Sequence, residues 1–417
     1  MTAPTLAPIL AIDFGTSNSA AAILENGAVR HIPIEAEAQT LPTAVFFPTD
    51  ESSMLIGTAA AEALLEGDEG RYMRALKSVL GAPLLHEKRL IGGKRRTLSA
   101  IVTEFLTVLR KRAEAQTDHR FTRALSGRPV HFHSHDPDRD AQAEADLRAC
   151  YLAAGFESVE FLFEPEAAAL SARAHGMTGE TGLIVDIGGG TSDFTVFRRG
   201  PSRIEVLASH GIRLGGTDFD QAVSMAHVMP HLGHGGTLTR TLGEGLLPVP
   251  NAIYVELSTW AKIPFLYSRE TERAVEDMQK HATDRPAMTR LRKVIEAQLG
   301  HELAFSVERG KIAANSGTGA AIDMGFIAQD LNAAITPESL DAALSGYRGD
   351  LRGAMTETLQ MAGLDAAQID AVILVGGSSL MGLVAQEAQA LCPHAALERS
   401  DAFTAVVDGL ALATAPH

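Results

Sequence analysis

Along the first fifty residues the apolar and polar positions predict strands. "PILAIDFG" reads as a buried strand, and "NSAAAILENGAVRHIPI" as two strand-like runs meeting at Asn26-Gly27, a dipeptide that tolerates the positive φ angles of a type I′ turn. Residues 8 to 34 are therefore expected to form a hairpin, followed by a strand, "TAVFFP", and a helix around "TAAAEALLEG". From 98 to 115 apolar side chains recur at helical spacing, and the segment ends in basic residues, which favour a helix C-terminus. "GRPVHFH" is strand-like, and "DPDRDAQAEADLRACYLAAG" is an alanine-rich helix stopped by Gly155. The strand "SVEFLF" then leads into "EPEAAALSARAHG", with Pro165 in the first turn and Gly176 at the end, each where a helix prefers it.

The pattern then restarts. "GLIVDIGGGTSDFTVFRRG" repeats the order strand, acidic residue, glycine turn, strand of "LAIDFGTSNSAAAIL", and strand-helix alternation follows each. This implies a duplicated α/β lobe, 1–178 and 179–417, with a short turn near 177 to 181 as the boundary. A helical tract, roughly 251 to 315, interrupts the second copy and marks a helical subdomain at about 220–320. "IDAVILVGGSSLMGLVAQEAQAL" predicts a buried strand, a Gly-Gly turn and a helix, and "DAFTAVVDGLALATA" a closing helix.

Composition narrows the class. The 417 residues exceed one typical domain, and 46% hydrophobic against 21% charged residues fits a compact globular protein. No apolar run approaches the roughly 18 residues of a membrane span. "MTAPTLAPILAID" lacks the basic segment of a signal peptide, so the expected location is cytoplasmic, without a membrane partner. Cys150 and Cys392 stand outside any CxxC or Cys/His cluster and read as buried apolar residues. A net charge of -15 repels phosphate backbones, and "EKRLIGGKRR" and "TRLRKVIEAQ" read as solvated surface, which argues against nucleic acid as a partner. A small bound anion must then be held locally, by backbone amides, a lysine or a metal.

"LIVDIGGGTSDF" offers such a place: Gly188, Gly189 and Gly190 lie between two aspartates, straight after a buried strand. Successive N–H groups in a glycine turn form a nest for an anion, and the missing Cβ atoms let phosphate oxygens approach. Thr191 adds a hydroxyl. Asp186 and Asp193 would repel that phosphate unless a cation stood between them, and Mg²⁺ is typically held by one or two carboxylates plus substrate phosphates. "DFGTSN" supplies a counterpart with Asp13, Gly15, Thr16, Ser17 and Asn18. Two such loops facing each other would clamp phosphates from both sides. No GxxxxGK[ST] occurs and no GxGxxG follows a strand, which excludes a P-loop and the dinucleotide fingerprint. Separately, "HFHSHD" sets His131, His133 and His135 on one face if the strand continues, a spacing suited to Zn²⁺; if the strand ends at "GRPV" they fringe a loop. Trp260, in "STWAKIPFLY", reads as an aromatic core anchor.

The Asp13 loop, the Asp186 loop and the terminal "ILVGGSSLMGLV" resemble, in order and spacing, the actin-like ATPase fold, and within it the nucleotide-binding domain of the DnaK-type heat-shock chaperones. The resemblance covers nearly the whole chain. "EPEAAAL" is similar to that family's "EPTAAAL", "RLGGTDFD" to its "LGGEDFD", and "RALKSVLG" to the segment bearing its phosphate lysine. The shortened YegD-like branch similarly has "GRPV.F" and a "MP.LG" stretch. The resemblance implies two duplicated α/β lobes around a nucleotide cleft, an inserted helical subdomain, and ATP or ADP bound with Mg²⁺. It implies that Lys77 touches the transferred phosphate and balances its charge, and that Glu164 positions the attacking water. Asp13, Asp186 and Asp193 would orient Mg²⁺ through its waters, and Thr16, Ser17 and Thr191 would donate to phosphates. Asp186 and Thr191 thus join Lys77 and Glu164 in the implied catalytic set. Without the resemblance, Lys77 reads as a solvated lysine and Glu164 as a helix-start carboxylate.

On the adenosine side, "ERGKIAAN" is similar to the family's "ERAKRTLS", so Glu308, Lys311 and Asn315 are expected at ribose and base; alternatively Glu308 and Lys311 form an ordinary surface pair. Gly376, Gly377 and Ser378 would let the backbone pass close to the nucleoside. Ile312 and Leu380 occupy the places of the two arginines that sandwich adenine, and Thr404 that of an aspartate. Losing cation–π stacking removes about 0.5–2 kcal/mol per contact, which implies weaker or less selective adenine binding and leaves ATP against GTP open. The family's peptide-binding domain and linker would follow the last helix; the chain stops at His417, so client gripping is not carried over. Three functions stand side by side. The first is a slowly hydrolysing Mg-ATPase of chaperone type, signalling to an unidentified protein partner or co-chaperone. The second is a small-molecule kinase, and the third a nucleotide-gated scaffold or filament protein.

Overall fold

The computed structural model describes residues 8–35, 38–49, 53–133, 136–174, 179–200, 204–240, 243–317, 319–399 and 404–415. Two sheets share one plan. In the first, β1 (Leu10–Phe14), β2 (Asn18–Glu25) and β3 (Ala28–His31) form an antiparallel meander, and β4 (Arg123–Arg128) and β5 (Ser158–Phe163) add in parallel, in the order β5-β4-β1-β2-β3. In the second, β6 (Thr181–Ile187), β7 (Ser192–Arg199) and β8 (Ile204–Ile212) repeat the meander, and β9 (Ala371–Val375) and β10 (Ala396–Arg399) add in parallel, in the order β8-β7-β6-β9-β10. The meander-plus-parallel plan occurs in both sheets, and the first carries one extra short strand, Thr40–Pro42, paired with β2.

The local chemistry explains most boundaries. Asn26 and Gly27 take φ values of 53° and 79°, the twisted turn that the β2–β3 connection requires. The expected hairpin over 8 to 34 becomes a three-strand meander, because the chain also reverses at residues 15–17. "GRPVHFH" is not a strand beyond its second residue: β4 ends at Arg128, since Pro129 has no N–H to give a ladder and its ring fixes φ. The histidines after it therefore do not share a strand face. His131 is exposed, the His133 Nε2–H donates to the Leu80 carbonyl at 2.8 Å, and His135 lies outside the described residues.

Helix α1 (Leu98–Thr117) starts at Thr97, whose hydroxyl accepts from the Ala100 amide, and buries the stripe Ile101, Val102, Phe105, Leu106 and Leu109. It runs past the basic residues, so none lies in its last turn. With α2 (Pro137–Ala153) it covers the first sheet in one apolar core, where Phe14 and Phe105 meet at 5.7 Å. Helix α3 (Glu164–Ala174) buries Ala167, Ala168 and Ala169. Its predicted stop, Gly176, lies outside the described residues.

By its contacts the chain divides into two compact units, 1–213 with 352–380 and 385–417, and 214–351 with 381–384. Both sheets belong to the first. The second holds α4 (Gly216–Val223), which passes into a π-helical turn at Ser224–Val228, and α5 (Gly300–Asn315). Trp260 in this unit stacks against His301 and Phe305, with centroids 4.7 and 5.0 Å apart, as a packing anchor. In the first unit, α6 (Ala405–Ala413) shares a core with α3 and with residues of both sheets. Gly409 allows that approach: a Cβ there would lie 1.7 Å from the Ala167 carbonyl oxygen. Among the described residues no helix is long and apolar enough to cross a membrane.

Candidate functional site

The two acidic turns, the lysine and the helix-start glutamate all belong to the first unit. Asp13 is on β1, Asp186 on β6 and Asp193 on β7, where Asp186 and Asp193 are direct cross-strand partners and so share one sheet face. Like charges in that position repel. The turns face each other: a Cβ on Gly189 would lie 2.4 Å from the Ser17 hydroxyl oxygen, whereas one on Gly190 would meet nothing within 4 Å. The Gly188 amide closes its own turn on the Thr191 carbonyl at 2.9 Å. Gly15 is held against the Asn18 carbonyl, with 2.2 Å left for a Cβ. Thr16, Ser17 and Thr191 keep partly or fully exposed positions at the two turns.

Lys77 reaches the site from a short 3₁₀ turn, Leu76–Val79, entered through Ala75 at φ 57°. A left-handed alanine costs on the order of 1–2 kcal/mol, a local strain that aims the next turn inward. Lys77 is 9% exposed, and its ammonium meets the Glu164 carboxylate at 2.5 Å. Glu164 is the first residue of α3, where the helix dipole favours negative charge. Beneath it, Gly127 leaves 3.2 Å between a would-be Cβ and the Glu164 Cγ.

Four carboxylates thus surround one ammonium. Burial raises Asp13 from 3.8 to about 7, with Glu164 adding repulsion and Lys77 opposing it. Asp193 rises from 3.8 to about 7 for the same reasons in the same order. Asp186 is held well above 3.8 by burial first, then by Glu164, Asp193 and Asp13. For Lys77, burial works against the charge, but Glu164, Asp13 and Asp186 together outweigh it and raise the ammonium above 10.5. Such a cluster favours a divalent cation, which turns each repulsion into attraction and draws the carboxyls to their ionised form. Among the described residues no three His, Cys, Asp or Glu side chains make a direct ligand set; an ion that keeps its water shell, as Mg²⁺ does, needs none. A cavity of about 10 Å³ opens between Pro129, Val130, Glu164, Asp186, Asp193 and Thr195, room for about one water molecule.

The residues expected on the nucleoside side fall in both units. Glu308, Lys311, Ile312 and Asn315 lie on α5 of the second, and Gly376, Gly377, Ser378 and Leu380 at the end of β9 in the first. Lys311 does not form a surface pair with Glu308: it is 4% exposed and meets Asp220 of α4 at 2.7 Å. Positions i, i+3, i+4 and i+7 share one face of a helix, so Glu308, Lys311, Ile312 and Asn315 lie along one side of α5. Ile312 is 59% exposed on it, and Asn315 Oδ1 accepts from the Gly382 amide at 2.8 Å. Gly376 takes φ 80° and passes within 2.7 Å of Asp186 Oδ1, counted from a would-be Cβ, so that only glycine fits behind the aspartate. Thr404 is buried and its hydroxyl donates to Asp408 at 3.3 Å, while Asp408 also pairs with His31.

Sequence reasoning missed Arg128, Gly127, Thr195 and Ser209. The last two lie opposite each other on the face that carries Asp193, with hydroxyls 3.0 Å apart. The period of two along β7 could have flagged Thr195, but no local pattern marks the others.

A family model described as Hsp70 protein matches residues 9–234, a span that contains both acidic turns, Lys77, Glu164 and the β6–β8 meander. The Chaperone protein DnaK of Endomicrobium trichonymphae is 35% identical over 226 residues, 52% of this chain and 34% of that protein. The chain thus spans about a third of the length of this curated relative. With more than half of its length matched and the meander-plus-parallel sheet built twice, the chain belongs to the Hsp70 family and has its actin-like ATPase fold.

Proposed function

We propose that the protein binds ATP or ADP with Mg²⁺ and hydrolyses ATP slowly, its nucleotide state being read by a protein partner of co-chaperone type. The observation that carries this reading is the pairing of Lys77 with Glu164 at 2.5 Å among Asp13, Asp186 and Asp193, beside a cavity sized for one water. In this reading Lys77 leaves Glu164 for the terminal phosphate when nucleotide enters, and the freed carboxylate accepts a hydrogen bond from the water and aligns it. Asp13, Asp186 and Asp193 hold the metal's water shell, and the bound Mg²⁺ supplies charge neutralisation at the phosphates. The amides of Gly189 and Gly190, with Thr16, Ser17 and Thr191, donate to phosphate oxygens from the two turns. Phosphoryl transfer asks for positioning and electrostatic stabilisation, which this set provides without a covalent intermediate.

We assign the nucleoside to Glu308, Ile312 and Asn315 with Gly376, Gly377, Ser378 and Leu380, and give Lys311 a supporting role through its pairing with Asp220. Repeat halves of 1–178 and 179–417, with the helical insertion at about 220–320, would close and open with nucleotide. A cytoplasmic location accompanies this reading. The kinase alternative requires space for a hydroxyl-bearing acceptor beside Glu164, and the small cavity there favours water instead.

The test is calorimetry of Mg-ADP and Mg-ATP binding, followed by single-turnover hydrolysis by the unaltered protein, Lys77→Ala and Glu164→Ala. We expect binding to persist and turnover to fall in both variants. Binding with turnover indifferent to both residues leaves the scaffold function, and turnover that appears only with an added metabolite leaves the kinase.

A further inference from the structure

The exit of β4 is organised around one side chain. Arg128, the last residue of the strand, pairs in register with Phe163, the residue before Glu164. Its side chain is 13% exposed. Its guanidinium lies over the Phe163 ring at 5.3 Å and the Phe132 ring at 5.2 Å. In its plane, Nε donates to the Pro129 carbonyl at 3.0 Å and one terminal nitrogen to the Val130 carbonyl at 3.2 Å. Asp140, at 3.3 Å, and Glu144 on α2 neutralise it. Asp140 also accepts from the Phe132 and His133 amides, at 2.5 and 3.2 Å. The guanidinium is thus met by two aromatic rings and by two carbonyls of the chain that follows it. Pro129 and Val130 form a wall of the water-sized cavity, and Gly127, the residue before Arg128, is the floor under Glu164.

Arg128 adds no net charge to the carboxylate cluster, since Asp140 and Glu144, the latter shared with Arg148, balance the two guanidiniums. What it contributes is geometry: a planar group that stacks and donates along fixed directions, which a lysine cannot copy. We propose that Arg128 is a positioning residue for the hydrolytic reaction, fixing through Phe163, Pro129 and Val130 both the seat of Glu164 and the wall of the water site. This rests on the reading of Glu164 as the group that aligns water.

Single-turnover hydrolysis, Mg-ADP affinity and thermal melting are measured for Arg128→Met, Arg128→Lys, Glu164→Gln and the Arg128→Met/Glu164→Gln double variant. Displacing a positioned group by an ångström costs on the order of a hundredfold, so Arg128→Met is expected to slow hydrolysis about ten- to a hundredfold. Mg-ADP affinity should stay within about twofold, because the amides and carboxylates of the two turns are untouched. In the Glu164→Gln background the same change should cost less than about twofold, the coupling that a purely structural role does not produce. Arg128→Lys keeps the charge and should lose most of the rate as well; it carries the test if Arg128→Met does not fold. An undiminished rate in a folded Arg128 variant, costs that multiply in full in the double variant, or affinity falling in step with rate overturns the proposal. Glu164→Gln turning over like the unaltered protein instead removes the hydrolytic reading itself.

Discussion

The two halves of the first unit have one sheet plan and unequal chemistry. The β1–β2 turn brings one aspartate, one glycine and short hydroxyls; the β6–β7 turn brings three glycines and two aspartates facing each other across the ladder. Repulsion follows the same asymmetry. Asp13 feels burial and Glu164, whereas Asp186 feels burial, Glu164, Asp193 and Asp13 together. In each half the parallel strand beside the acidic turn carries a glycine one residue past its last pairing with the turn's strand, Gly127 after Ser126 and Gly376 after Val375. One supports Glu164 and the other Asp186. Duplication thus supplied the scaffold twice, while the facing pair of aspartates came with one half and Asp13, Glu164 and the cation, Lys77, with the other.

Substitutions can break this asymmetry. The largest expected contrast is between Asp186→Asn and Asp13→Asn in single-turnover hydrolysis: removing a group that stabilises charge in a desolvated site costs about 10²–10³-fold, and we expect that for Asp186 against about tenfold for Asp13. Equal losses would make the halves equivalent. Next come the supporting glycines. Gly376→Ala forces φ 80° on an alanine and sets its Cβ 2.5 Å from the Ile187 carbonyl oxygen. It should lower stability by about 2 kcal/mol in denaturant unfolding. Gly127→Ala brings its Cβ to 3.2 Å from Glu164, 3.4 Å from Val406 and 3.5 Å from Leu410, all side chains that can give way, so it should cost less stability than Gly376→Ala and slow hydrolysis about fivefold.

A smaller contrast lies within one turn. Gly189→Ala, whose Cβ meets Ser17, should weaken Mg-ADP binding about tenfold in calorimetry, and Gly190→Ala, facing open space, by less than about twofold. The smallest effect is on pH. Asp13 and Asp193 titrate near 3.8 when unfolded and about 7 when folded. Between those values the folded chain holds more protons, so this contribution to stability is full below pH 4, is lost as pH rises, and is gone above about 7. In chelator, melting at pH 5 should lie about 6 °C above that at pH 8 from this source, and the Asp13→Asn, Asp193→Asn double variant should flatten the difference. An unchanged slope would place the titration elsewhere.

How far the site could be read from the chain differs by residue. Asp186, Asp193 and Gly188 to Gly190 were legible because five neighbours in sequence make one turn, and strand alternation already puts both aspartates on one face. Lys77 and Glu164 carry no local sign of function. They meet because a left-handed Ala75 and a helix start, far apart in sequence, converge in three dimensions. Periodicity misread "GRPVHFH" because alternation of side chains continues through a proline, while the ladder of amide hydrogens does not.

The order of residues by itself determined the repeated strand–turn–strand plan, the glycine- and hydroxyl-bearing make-up of both turns and the apolar stripes that bury α1 and α3. Those depend on φ preferences and on periods of two and 3.6, which act between neighbours. Tertiary structure alone decided that Lys311 faces Asp220 rather than Glu308, that Arg128 meets two aromatic rings next to Glu164, and that four carboxylates surround one ammonium. Distance through space, and the desolvation that follows burial, set those pairings, and neither is a property of adjacent residues.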